Sequence, residues 1–411
     1  MDRHELNDTL SRIKKLDKIF MAYNCNIDNI VKVDKIQKFA KPPELRELNK
    51  PDDLFSCIAY SMAHEESAEL VMNEQVEEWL GDNIAPDKQR MGGQIGIMAN
   101  QLSSFGANPI VYTPLLYKTL CKMFSRNVSL VDKGLKKPNE VRRNDRKKIN
   151  WIFEFDKGQK FGKVKAKNVN RFIAASRPDE FRMTPFEMDF DFSCSILSGF
   201  HAFKEKYSDG TTYKDQFRIA NNLVDRINER EKPVHIEVAY TSSRKIMKEI
   251  VRLASKVDSI GLDESELMLI LDALGYRKLE KKIHRTHDVR DVLTGMDKIN
   301  KKMKTGKIHL HGFGYYMALC SEDYHVSTDI IRKSMQFASV VASSVASGSS
   351  LASGLKNQSS LVGRKKEALL DLDREDVIFQ PASLVKRVRD VVGLGDIISA
   401  SIFVAEVANH D

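Results

Sequence analysis

Near its C-terminal end the chain reads Val391-Val392-Gly393-Leu394-Gly395-Asp396 and runs directly into an apolar segment, Ile397 to Ala405. Two glycines one residue apart let the backbone turn through conformations closed to other residues, so successive N–H groups converge at a helix start. Such a point favours negative charge: a helix N-terminus stabilises an anion by about 0.3–1 kcal/mol when exposed and more when desolvated. A phosphoryl group in transfer is an anion of this kind, and Asp396, at the junction of loop and helix, could take a proton from an attacking hydroxyl. The same residues also suit a plain Gly turn closed by an Asp N-cap. Other segments have to decide.

Three do. Arg90-Met91-Gly92-Gly93-Gln94 places a Gly pair at the head of a helix, which allows close approach of a ligand or hinge motion, or serves helix entry alone. His235-Ile236-Glu237 alternates along a strand, so both polar side chains share one face of an apolar run, and a divalent metal would give that buried charge a partner. Asp263-Glu264-Ser265-Glu266 follows another strand and opens a helix. Acidic residues there are ordinary caps and dipole partners, the reading that suits Glu264, whereas Glu266 is expected to face Glu237 across adjacent strand ends.

The elements that must position these groups alternate. Strands are expected at Lys18 to Tyr23, Pro109 to Tyr112, Ser195 to Leu197, Val234 to Val238, Val257 to Leu262, Ile308 to Leu310 and Val377 to Phe379. Helices are expected at Gly93 to Phe105, Lys214 to Glu231, Ser242 to Lys256, Glu264 to Leu274 and Asp329 to Ser347. This βαβ rhythm predicts an α/β fold, a doubly wound, mainly parallel sheet flanked by helices, with ligands outside the carboxyl ends of the strands. Two stretches break the rhythm and predict a smaller β-rich unit, residues 25–69 and 148–188, inserted into a large unit of 1–24, 70–147 and 189–411. Ala342 to Ser360, rich in Ser, Ala and Gly, reads as a helix end and a loop.

Bulk properties exclude several classes. The 411 residues are 42% hydrophobic and 30% charged, with 65 basic against 57 acidic residues, an ordinary globular balance. No apolar run reaches the ~18 residues of a membrane span and no signal-peptide core is present, so a cytosolic protein is expected. The five scattered cysteines lack C-x-x-C spacing, which points to reduced structural thiols. The basic cluster Arg142 to Lys148 has no interleaved aromatic residues, so no nucleic-acid partner is expected, and Lys298 to Lys307 reads as a solvated helix end.

Taken in order, Asn24-Cys25-Asn26-Ile27-Asp28, Gly92-Gly93-Gln94, Asn150 to Phe155, Asn170-Arg171-Phe172-Ile173, Ser198-Gly199, His235-x-Glu237, Asp263-x-x-Glu266 and Gly393-Leu394-Gly395-Asp396 resemble the archaeal ADP-dependent sugar kinases. These are the ADP-dependent phosphofructokinases and glucokinases of the ribokinase-like superfamily, and the resemblance runs from about residue 18 to 405. It implies a lid closing over the sugar, Mg²⁺ (or another divalent cation) with ADP as phosphoryl donor, and AMP as product. It also implies Asp396 as general base, Gly393 and Gly395 as anion hole, Glu237 and Glu266 as metal ligands, and Asn26, Asp28, Gly92 and Gly93 at the sugar.

By the same resemblance Lys148, Arg171 and Arg177 match positions that hold a sugar 6-phosphate, which makes fructose 6-phosphate the expected acceptor. Glu69 resembles a position that supports glucose, so a bifunctional phosphofructokinase/glucokinase is the alternative. The chain departs from the pattern at Val391, Ile397 and Ser383; the last stands near an expected phosphate-binding Arg that Lys386, Arg387 or Arg389 could replace. These departures and the net charge of +8 motivate a third reading, a non-catalytic sugar or nucleotide sensor or a basic nucleic-acid binder.

Overall fold

The computed structural model describes residues 1–65, 68–356, 374–385 and 392–410. Lys386, Arg387, Arg389 and Val391 lie outside them. In chain order the strands are β1 (Ile19–Tyr23), β2 (Asn26–Lys32), β3 (Ala68–Val71), β4 (Lys88–Gly92), β5 (Pro109–Tyr112), β6 (Ser129–Val131), β7 (Leu135–Lys136), β8 (Ile149–Phe155), β9 (Lys160–Phe161), β10 (Val164–Lys165), β11 (Asn170–Ala175), β12 (Cys194–Ser198), β13 (Val234–Glu237), β14 (Ser259–Leu262), β15 (Lys307–Gly312), β16 (Tyr315–Cys320) and β17 (Val377–Pro381).

Among the described residues ten strands form one sheet, ordered β17-β16-β15-β14-β13-β12-β1-β5-β6-β7. The central seven are parallel; β7 and β16 run opposite to them at the two sides, and β17, antiparallel to β16, returns to their direction. β1, β5, β12, β13 and β14 are buried at every position, as strands covered by helices on both faces must be. The chain leaves β1 toward β5 on one side and β12 on the other. That switch point opens a crevice at the strands' carboxyl ends.

The helices Gln94–Ser104, Tyr213–Asn228, Arg244–Ala254, Glu264–Ala273, Thr328–Ser347 and Leu394–His410 cover this sheet. Their starts are chemically marked: Ser243 and Ser327 accept hydrogen bonds from the first-turn amides of Ile246 and Ile330. A core through Phe20, Ile196, Ile236, Ile260, Leu310 and Phe403 joins sheet and helices.

A second sheet, β3-β11-β8-β2-β4, has its own core of Val31, Phe55, Trp151, Phe153 and Phe172. The sequence boundary at residue 69 falls short of it. Helix Glu74–Asn83 packs Val76 and Leu80 into the smaller core, and β4 pairs antiparallel with β2, so residues 70–92 belong with the smaller sheet. At the other limit Phe181, Met183 and Met188 pack into the larger core.

Two further expectations change. Lys307 is not solvated: it opens β15, is buried, and pairs with Glu406 of the last helix. After Ser347 the chain forms a short second helix, Leu351–Lys356, where a loop was expected, while residues 357–360 lie outside the described part. Four of the five cysteines, Cys25, Cys57, Cys121 and Cys194, are buried. No helix among the described residues is long and apolar enough to cross a membrane.

Candidate active site

A cavity of about 160 Å³ lies between the two sheets. From the smaller sheet it is lined by Asn26, Asp28, Glu69, Asn150, Ile152 and Ile173, and from the larger unit by Gly93, Gln94, His201, Gly393 and Asp396. Lys148 and Arg177 complete the wall.

Why these groups converge follows from local structure. Asn26 and Asp28 alternate on β2, so both face the cavity, and Asn26 Nδ2 donates to Asp28 Oδ1 at 2.7 Å. Antiparallel pairing sets Arg90 of β4 opposite Asp28, with the charges 3.9 Å apart. Gly92 does not line the cavity; a Cβ there would collide with the Asp28 carboxylate and the Asn26 amide, so the glycine makes room for them. Gly93 sits at φ 74°, where a Cβ would strike the Asn24 carbonyl, and that carbonyl accepts from Ile95 N at 3.1 Å. Gly93→Ala should therefore destabilise the fold by about 1–3 kcal/mol, read as a lowered thermal midpoint. An unchanged midpoint would show that the turn relaxes.

Lys148 is buried. Its Nζ lies 3.0 Å from Asn24 Oδ1, 3.3 Å from Asn26 Oδ1 and 4.6 Å from the Phe181 ring centre. Burial, reinforced by the positive Arg177, lowers its pKa to about 8. Arg177 faces Glu69 at 3.6 Å. Arg171 is the exception among the three cations: it pairs in register with Glu154 along β11 and does not line the cavity, although it shares a strand face with Ile173.

The last helix begins earlier than the sequence suggests. Leu394 is its first residue and the Gly393 carbonyl accepts from Ile397 N, so Asp396 stands in the first turn and is not the N-cap. Gly393, at φ 71°, lines the cavity beside Asp396. Gly395 does not; a Cβ there would come within 2.5 Å of His311 Nε2. Burial first, then repulsion from Asp28 and Asp263, raises the Asp396 pKa to about 7. Burial likewise lifts Asp28 to about 6 against the opposing pull of Arg90.

Glu237 and Glu266 stand apart from the cavity but together: a ligand atom from each and one from His311 lie within 4.8 Å of one another. The capping role expected of Glu264 falls to Glu266, whose Oε2 accepts from Asp263 N at 2.8 Å while Asp263 caps Glu266 N. Burial raises both glutamates well above the usual range, helped for Glu237 by repulsion from Asp396 and for Glu266 by repulsion from Asp263 and then Glu237. Glu237 Oε2 is buried, with the Ser399 hydroxyl beside the carboxylate. Two hard carboxylates with an open lone pair fit a divalent cation that keeps part of its water shell.

Sequence reasoning gave Arg90, His201 and His311 no role of their own. His201 and His311 each follow or end a strand near the crevice, a positional signal that was available. Arg90 became legible only through the β2–β4 pairing. Ser383 is occupied with packing, its N–H donating to Ser339 Oγ at 2.8 Å.

A doubly wound α/β sheet with a glycine-headed helix, a buried base-like carboxylate and a carboxylate cluster at its strand ends defines a phosphotransferase of the sugar-kinase type. The chain belongs to the ADP-dependent phosphofructokinase/glucokinase family, whose description, "ADP-specific Phosphofructokinase/Glucokinase conserved region", it matches over residues 17–405. It is 31% identical to the ADP-specific phosphofructokinase of Pyrococcus horikoshii, over 94% of this chain and 96% of that protein. With the ADP-dependent glucose/glucosamine kinase of Pyrococcus furiosus it shares 28% identity over 98% and 97%. A solved ADP-dependent kinase in complex with fructose-6-phosphate and ADPbetaS superimposes with a TM-score of 0.87 at 31% identity, covering 98% of this chain and 96% of that one.

Proposed function

We propose that this protein is a cytoplasmic ADP-dependent 6-phosphofructokinase of glycolysis, transferring the β-phosphoryl group of Mg·ADP to the C1 hydroxyl of fructose 6-phosphate to give fructose 1,6-bisphosphate and AMP. The observation that carries the choice of acceptor is that Lys148 and Arg177 line the same cavity as Asp396. Glu69 faces Arg177 and neutral amide oxygens accept from Lys148, so a neutral sugar would leave the Lys148 ammonium on amides alone, whereas a phosphate monoester pairs with both cations.

In this reading Asp28 and Asn26 accept and donate to the sugar hydroxyls, held by Arg90 and Lys148. Asp396 takes the C1 hydroxyl proton as the oxygen attacks phosphorus. A base whose pKa sits near neutrality is free to accept at working pH and still strong enough to pull. The Gly393 turn and the amides of the first helical turn receive the transferring group's charge. Glu237 and Glu266 would hold the divalent cation, which neutralises phosphate charge when bound. The five-stranded sheet, with residues 70–92, acts as a lid that excludes water from the cavity.

Coupled assays with ADP and ATP on both sugars test this. Turnover of fructose 6-phosphate with ADP and release of AMP are expected; turnover with ATP and none with ADP would remove the donor assignment. A bifunctional enzyme that also phosphorylates glucose is the second reading, favoured by Glu69 in the cavity wall. Glu69→Ala should then abolish glucose phosphorylation while keeping most activity on fructose 6-phosphate. Equal loss on both sugars would deny Glu69 a specificity role.

A further inference from the structure

One buried side chain of the sugar cavity has no part in the reaction described above. His201 follows β12 in a 3₁₀ turn, Phe200–Ala202, is 8% exposed, and lines the cavity together with Lys148 and Arg177. The turn holds it firmly. Gly199, at φ 104°, lets the chain pass Asn24, which a Cβ would strike, and its carbonyl accepts from Tyr23 Oη at 2.7 Å and from Ala202 N at 2.9 Å. The Tyr23 ring packs on both Phe200 and Phe181, and Lys148 Nζ lies over that same Phe181 ring. Turn and ammonium are thus seated on one aromatic cluster.

The imidazole itself is left unused. Its Nδ1 is buried without a hydrogen-bond partner among the described residues, which leaves Nε2 as the nitrogen that can meet a ligand. A phosphate monoester brings three terminal oxygens and about two negative charges into this corner. The cations waiting there are already engaged: Glu69 faces Arg177 at 3.6 Å, and the oxygens of Asn24 and Asn26 accept from Lys148. A further donor would be used.

We propose that His201 is a third donor to the 6-phosphate of the sugar, giving its Nε2–H to a phosphate oxygen as a neutral imidazole. This deepens the proposed function and rests on it, since that reading brings the phosphate to Lys148 and Arg177. A third cation would repel the other two whenever the cavity is empty, whereas a neutral N–H adds a hydrogen bond without that cost. Burial, and then the positive Arg177 and Lys148, hold the His201 pKa well below the ordinary 6.5, so the ring is uncharged at working pH. Its one proton then belongs on the nitrogen that a ligand can reach.

Binding of fructose 6-phosphate to the full-length protein and to two variants provides the test. His201→Leu, which fills the space without a donor, should raise the dissociation constant at least about tenfold, and His201→Gln, which restores a neutral N–H near the Nε2 position, should recover most of that loss. Asp28, Asp396 and Lys148 titrate in the same cavity in every variant, so the ratio of the Leu variant's constant to that of the unaltered protein should stay flat from about pH 6 to 8. The phosphorus NMR line of the bound sugar should differ between these two proteins. Equal weakening by both variants assigns a packing role, a ratio that grows toward low pH assigns a cation, and an unmoved phosphorus line assigns a hydroxyl contact; each overturns the proposal, as does undiminished binding by the Leu variant. Should the variants not fold, NMR of the unaltered protein with nitrogen-labelled histidine decides. Fructose 6-phosphate should then move one imidazole N–H resonance that stays in the neutral range, and a spectrum in which no imidazole responds refutes the donor. Sugar phosphate bound with this pattern but never phosphorylated refutes the proposed function alone. Turnover of fructose 6-phosphate with a KM untouched by His201→Leu refutes the donor role alone.

Discussion

Asp396→Asn should lower kcat by about 10²-fold to 10⁴-fold while leaving the dissociation constant of fructose 6-phosphate nearly unchanged. The amide keeps the shape and the place in the first helical turn but cannot take the C1 proton. Two further readouts separate a base from a merely buried carboxylate. For the unaltered enzyme kcat/KM should rise with pH and level off near the Asp396 pKa of about 7, and the variant should lack that limb. Stability should move the other way. Because the folded-state pKa lies above the ordinary 3.8, the folded form holds its proton longer than the unfolded chain. Between about pH 4 and 7 the unfolded state therefore binds fewer protons, and stability falls as pH rises. The amide does not titrate and escapes this loss, so the variant should melt higher than the unaltered protein above pH 7 and alike near pH 4. The gain is about 1–4 kcal/mol in the metal-free protein. A variant with undiminished kcat would strip Asp396 of its role.

Much of this site is visible in the sequence because its signals are local. The parallel strands announce themselves as short β-branched runs, and the glycine pairs mark the turns whose positive φ falls on Gly93 and Gly393. The lid edge has no such signal. β4, Lys88–Gly92, is polar and buried only at Gly92, so no alternation betrays it, and with it go Arg90 and the true extent of the smaller sheet. Arg171 illustrates the complementary limit. Its motif places it on the right strand and face, but the register with Glu154 sets it along β11 beyond the cavity wall. Gly395 likewise serves His311 packing, a contact between residues far apart in the chain that no local pattern encodes. Spacing identifies candidates; strand register and crossing elements decide which of them meet.

Removing the phosphate-facing cations should then separate the two sugars. Arg177→Ala should raise KM for fructose 6-phosphate by about 10-fold to 150-fold, the loss of a charge-assisted hydrogen bond of ~1.5–3 kcal/mol, with kcat little changed because ground and transition states lose it alike. Any glucose turnover should be spared, since glucose carries no 6-phosphate. Lys148→Met should do more, reducing kcat as well, because its ammonium also holds Asn24 and Asn26 beside the sugar. Arg171→Ala is the internal comparison and should change KM less than about threefold, as expected of a residue away from the cavity wall. The pH profile tests the pair as a unit. Lys148 binds phosphate as a cation, so kcat/KM for fructose 6-phosphate should fall above its pKa of about 8. Part of that lowering comes from Arg177, and Arg177→Ala should therefore shift the alkaline limb upward even as it weakens binding. A limb that stays in place would mean the two cations do not act on one phosphate.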